Sequence, residues 1–145
     1  MRLKYSVLLL LLFGCGAHVA RAQARDVDPG PIRSSAAYAE ILLRKTELLA
    51  DIESLSADYT ESNPKMIDMR FELASLDRSL EKMFMVKPTE TARLTPALGK
   101  LIVRRASLDA ELNRLNRSYN KDHPEVKRAR RRLEIFDSAI KEILG

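Results

Sequence analysis

Apolar residues return along this chain at intervals of three and four, in four separate stretches. Ile41, Leu48, Ile52, Leu55 and Tyr59 share one side of a helix of period 3.6. Met66, Met69, Leu73, Leu76, Leu80 and Met83 alternate three and four, the spacing of a coiled-coil seam. Leu101, Leu108, Leu112, Leu115 and Tyr119 line a third stripe, and Val126, Ala129, Leu133, Phe136, Ile140 and Ile143 a fourth. No run alternates with period two, and no Asn-Gly or Asp-Gly pair joins two apolar runs, so strands are not expected.

The breaks between stripes carry helix punctuation. The first helix is expected from about Ser35 to Tyr59. Thr60 to Asn63 is polar, and Pro64 suits the first turn of the next helix because it lacks only a donor that would be unpaired there. The residue before a proline avoids the α region, so Asn63 is expected as a cap. Thr95-Pro96 opens the third helix in the same way. At the break Asn120 to His123, Asp122 and Glu125 could each serve the free amides of the fourth helix, and Gly145 stands where a helix-ending glycine belongs. Breaks this short join antiparallel neighbours. The fold expected is all-α: two tandem antiparallel helical hairpins, coiled-coil-like.

The second hairpin copies the first. At an offset of 60 residues, Leu48, Ile52, Leu55, Tyr59, Pro64, Arg70, Leu73 and Leu80 return as Leu108, Leu112, Leu115, Tyr119, Pro124, Arg130, Leu133 and Ile140. Arg44 and Arg104 share the offset. Such a repeat is one supersecondary unit made twice, because one unit alone buries little. Residues 35–85 form the first hairpin and 96–145 the second, joined by a linker at 86–95 and preceded by a flexible lead-in at 25–34 that holds Pro29, Gly30 and Pro31. Leu42, Leu43 and Leu49 widen the first stripe, and Ile102 and Val103 the third. That surplus favours a four-helix bundle or a pairing between chains over a bare hairpin. Compact bundle and extended rod both remain open.

The first 24 residues read as a secretory signal peptide: Arg2 and Lys4, the apolar run Val7 to Phe13, then small residues with cleavage after Ala22 or Ala24. Leu12-Phe13-Gly14-Cys15 also resembles a lipoprotein lipobox, which would acylate Cys15. No later segment reaches the ~20 apolar residues of a membrane span. Cutting after Ala24 lowers the formal charge from +5 to +2 and removes the only cysteine, so no disulfide framework is expected. The remaining charge is unevenly shared. Residues 25–85 hold 8 Lys/Arg and 12 Asp/Glu, a net of −4, whereas residues 86–145 hold 14 and 8, a net of +6. Opposite charge on two copies of one unit favours their facing each other, within a chain or between chains.

Candidate chemistry is sparse. After the leader only one histidine remains, His123, beside a proline at a turn. No His/Cys/Asp cluster has metal-ligand spacing, and no glycine-rich loop cradles phosphate. Catalytic, cofactor and metal residues are therefore not expected. The strongest polar feature is Lys127-Arg128-Ala129-Arg130-Arg131-Arg132. With Val126, Ala129, Leu133 and Phe136 turned inward, Lys127, Arg128 and Arg131 point outward as a candidate anion-binding patch for acidic polysaccharide or a membrane surface. The competing reading is a solvated face that also pairs with the acidic first hairpin. Nucleic acid is not expected, because no aromatic residues interleave with the basic run.

The string Leu112-x2-Leu115-x3-Tyr119-x3-His123-Pro124-x-Val126-x6-Leu133 resembles the hairpin motif in the periplasmic coiled-coil region of bacterial polysaccharide chain-length determinants, the polysaccharide co-polymerases. Ile52, Leu55, Tyr59, Asn63, Pro64, Met66 and Leu73 match more weakly. The resemblance implies that Tyr119 and Pro124 shape the turn and that His123 caps the returning helix. The two membrane spans and the Walker-type loop of that family have no counterpart here. The function expected is an exported, non-catalytic helical-hairpin protein of the bacterial cell envelope, periplasmic or extracellular, that meets a protein partner or itself through helical faces. The alternative is a binding module for anionic polysaccharide or membrane surface using the basic fourth helix.

Overall fold

A computed structural model describes residues 30–144. The leader, Cys15 and Gly145 lie outside the described residues. The elements in order are α1 (Gly30–Arg33), α2 (Ala36–Ser56), α3 (Pro64–Phe84), a 3-10 helix (Pro88–Arg93), α4 (Pro96–Ser118) and α5 (Pro124–Leu144). The chain is all-α, with no strand among the described residues. No helix among them is long and apolar enough to cross a membrane.

Side-chain caps start the long helices. The Ser35 hydroxyl accepts from the Tyr38 amide at 3.3 Å, Asn63 Oδ1 from the Lys65 amide at 2.9 Å, and the Thr95 hydroxyl from the Leu98 amide at 3.3 Å. Each satisfies a helix-start donor that has no partner inside the helix. α2 is shorter than expected: it stops at Ser56, and the Asp58 and Tyr59 amides turn back onto the Leu55 carbonyl. Residues 30–34, the part of the lead-in that lies within the described residues, and the linker also carry more structure than their composition suggests. Ile32 of α1 and Leu94 after the 3-10 helix are both buried, and the Ala37 amide donates to the Leu94 carbonyl at 3.2 Å. Two apolar side chains thus pin segments that proline and glycine would otherwise leave loose.

Ion pairs fix the antiparallel partners. Within the first hairpin Arg44 meets Glu72 at 2.8 Å and Lys45 meets Asp77. Within the second, Arg105 meets Asp137 at 2.9 Å and Glu111 meets Arg132 at 3.5 Å. Lys45–Asp77 and Arg105–Asp137 are one pair repeated at the 60-residue offset. The two hairpins then stack through α4, which packs against α2, α3 and α5, while α5 packs chiefly on α4. α4 runs antiparallel to α3, as the Asp68–Arg117 pair at 2.5 Å and the Ser75–Asp109 hydrogen bond at 2.9 Å require. It runs parallel to α2, with Gly99 set against Ala37 and Glu40. Both hairpin turns therefore lie at one end of the molecule.

The core sits between α2, α3 and α4, around Ile41, Leu48, Met66, Leu76, Leu98, Ile102 and Ala106. The second seam is thinner. Val126, Ala129, Leu133 and Leu108 are buried, but Leu112, Phe136, Ile140 and Ile143 are half-buried. Leu112 thus departs from the burial its spacing predicts. Tyr59 and Tyr119 end their stripes in solvent.

Candidate interaction surfaces

The turn of the second hairpin follows from four side chains. Asn120 Oδ1 accepts from the Asp122 amide at 3.0 Å, and His123 Nδ1 accepts from the Glu125 amide at 3.2 Å. The Tyr119 ring stacks on His123 with centroids 4.1 Å apart and planes 17° from parallel. Pro124 follows as the first residue of α5. His123 therefore occupies the position that Asn63 occupies before Pro64, and both cap through the amide two residues on. Asp122 and Glu125, the acids expected to cap α5, do other work: Asp122 meets Lys127 at 3.4 Å and Glu125 meets Arg128.

Those pairs also change the expected anion patch. Lys127 and Arg128 each have a carboxylate beside them, and Arg132 reaches Glu111. Arg114, Arg130 and Arg131 have no ion-pair partner among the described residues. The basic helix does not pair with the acidic first hairpin. The shared offset of Arg70 and Arg130 does not give them one role, since Arg70 meets Glu61 at 2.5 Å and Arg130 meets no carboxylate among the described residues. Charge crosses between the hairpins elsewhere, at Asp68–Arg117 and at Arg78–Asp109, 3.6 Å apart.

Polar contacts inside the stack are fully satisfied. The buried Ser75 hydroxyl donates to Asp109 at 2.9 Å and accepts from Arg105 at 3.1 Å. Its hydroxyl would be costly to bury unpaired. Glu72 is nearly buried and accepts from Arg44, and that hydrogen bond holds the Arg44 guanidinium above its ordinary pKa against the opposing effect of burial. This pair lines a groove of about 420 Å³ between α2 and α4. Its acids Glu40, Glu47 and Glu72 are matched by Arg44, Lys100 and Arg104, so it offers no net charge to a ligand. Among the described residues no group of His, Cys, Asp and Glu could hold a metal ion.

One further surface is apolar. Leu42, Leu43 and Leu49, the surplus expected to be covered by a four-helix bundle or by a pairing between chains, stand in solvent in the single chain, Leu43 at 60% exposure. With Ala39, Thr46 and Ala50, also exposed, they make an uncharged stripe over about three turns of α2. A helix apolar on both faces is normally buried on both. Ile135, on the outer side of α5, is the other large exposed aliphatic residue of the long helices.

Comparison with family profiles, curated proteins and solved structures finds no match. The class defined by the coordinates is a protein of two stacked helical hairpins.

Proposed function

We propose that this chain is an exported, non-catalytic helical-hairpin protein of the bacterial cell envelope with a structural or protein-interaction role. One observation carries the interaction role: the uncharged outward stripe of α2, which a solvated helix has no reason to keep. Export is supported by the leader pattern, and the envelope by that leader together with the resemblance around Tyr119, His123 and Pro124. The only histidine after the leader serves as a helix cap, which leaves no candidate general base of the usual kind.

A photo-activated cross-linking residue in place of Leu43 tests this in the producing cell. A discrete protein adduct is expected at Leu43, and none from the same residue placed at Ser62 in the first turn. Absence of any adduct at Leu43 contradicts the reading.

A second reading is favoured by Arg114, Arg130 and Arg131, which form no ion pair among the described residues. These arginines, with Lys127 and Arg128, surround the second hairpin near its turn and suit an acidic polysaccharide or anionic lipid surface. Binding to anionic polymer or vesicles then weakens as salt rises. Changing Arg114, Arg130 and Arg131 together to serine abolishes it without loss of helix content. No binding at low salt rules this second reading out.

A further inference from the structure

The stripe left open on α2 is, position for position, the surface that α4 uses to dock on the first hairpin. At the 60-residue offset, Ala39, Leu42, Leu43, Thr46 and Ala50 correspond to Gly99, Ile102, Val103, Ala106 and Ala110. Gly99, Ile102, Ala106 and Ala110 are buried and Val103 is half-buried, whereas all five α2 counterparts are exposed. The surface that receives α4 has its counterpart as well. Gly99 backs onto Ala37 and Glu40, Val103 shares a groove with Arg44, Asp109 binds Ser75, and Leu98 and Ile102 share a cavity with Ser79 and Met83. The equivalents of those receivers are Ala97, Lys100 and Arg104 on α4, and Ile135, Ala139 and Ile143 on α5. The first four of these are exposed, and Ala139 and Ile143 are half-buried.

One substitution pair makes the correspondence specific. Inside the chain, Asp109 hydrogen-bonds Ser75 across the hairpin–hairpin interface. Shifted by the repeat, that contact becomes Leu49 against Ile135, both more than half exposed. A polar pair has been replaced by an apolar pair at both partners, which suits a contact made between chains as much as the original suits the contact within one.

We infer that a second copy of this chain covers the α2 stripe, docking its α4/α5 groove there and repeating the internal hairpin–hairpin interface between molecules. The charges agree: the half of the chain at residues 25–85, net −4, meets the half at residues 86–145, net +6. Such an interface is heterologous, since each copy offers one face and one groove. Repetition builds an open filament or closes into a ring. A stack of two hairpins becomes a longer stack by the same rule that joins the first two.

This rests on the reading of α2 as a docking face, and the tests separate the two. Sedimentation of the full chain over a range of concentrations is the primary measurement. Mass rising beyond a dimer is expected for the native sequence. Leu49→Glu and Ile135→Glu, which touch opposite sides of the interface, are each expected to sediment as monomers with unchanged helix content. Mixed in equal amounts, they should form a dimer and stop there, since one copy keeps its groove and the other its stripe. A native chain that stays monomeric overturns the inference. So does a native assembly that Leu49→Glu disperses and Ile135→Glu leaves intact, which would mean α2 pairing with α2. So does a mixture that remains monomeric. If the cross-link from Leu43 captures a different protein, the interaction role stands and self-stacking falls.

Discussion

Leu76→Ala lowers the stability of the chain by about 2–5 kcal/mol, the cost of emptying a well-packed leucine site. Leu76 is completely buried on α3, in the cluster where α2, α3 and α4 meet. Truncation removes its own burial and leaves a cavity whose walls belong to three helices and cannot collapse independently. The same change at Leu112 costs less, because that side chain is only half-buried. Thermal melting by circular dichroism checks both: each kcal/mol lowers the midpoint by roughly 2–8 °C for a chain of this size. Equal shifts at the two positions would contradict a core centred on the α2/α3/α4 junction.

Gly99→Val drives the hairpins apart, and its cost is expected at or above the usual ~1–3 kcal/mol of overpacking. A Cβ at Gly99 would lie 2.7 Å from the Glu40 Cβ and 2.9 Å from both Cα and O of Ala37. Two of those atoms are backbone, so no rotamer change relieves the clash and α4 must move from α2. Even Gly99→Ala should destabilise, although alanine favours a helix by about 1 kcal/mol over glycine. Denaturant unfolding of both variants checks this. The control is Ala39→Val, at the equivalent position on exposed α2, where the folded monomer pays no steric penalty.

The hairpins were legible in the sequence because their determinants are local. The three–four seams give the helices, Asn63-Pro64 and Thr95-Pro96 give their starts, and the 60-residue copy gives two units. What failed to show has physical causes. Residue type alone left Asp122, Glu125 and, through the resemblance, His123 as candidate caps of α5; only the fold reveals that His123 takes the amide while the two acids meet Lys127 and Arg128. Helix periodicity could not say which surplus apolar positions find a partner. Leu42 and Ile102 have identical local patterns, yet Ile102 is buried and Leu42 is not. That difference is set by which hairpin lies on which, and by single residues such as Gly99 against Ala39. The clue was available as the paired exchange of Asp109 for Leu49 and Ser75 for Ile135, but it has meaning only once Ser75 and Asp109 are seen in contact.

The two hairpins lie side by side in the same direction, stacked through α4. Spin labels at Ser62 and Lys121, both exposed in the two turns, test it most directly by pulsed electron resonance on the full chain. The stack predicts a separation well below the ~30 Å length of a helix of this size. A separation equal to or greater than that length would mean hairpins pointing in opposite directions or strung end to end, and the shared docking surface would be lost with it.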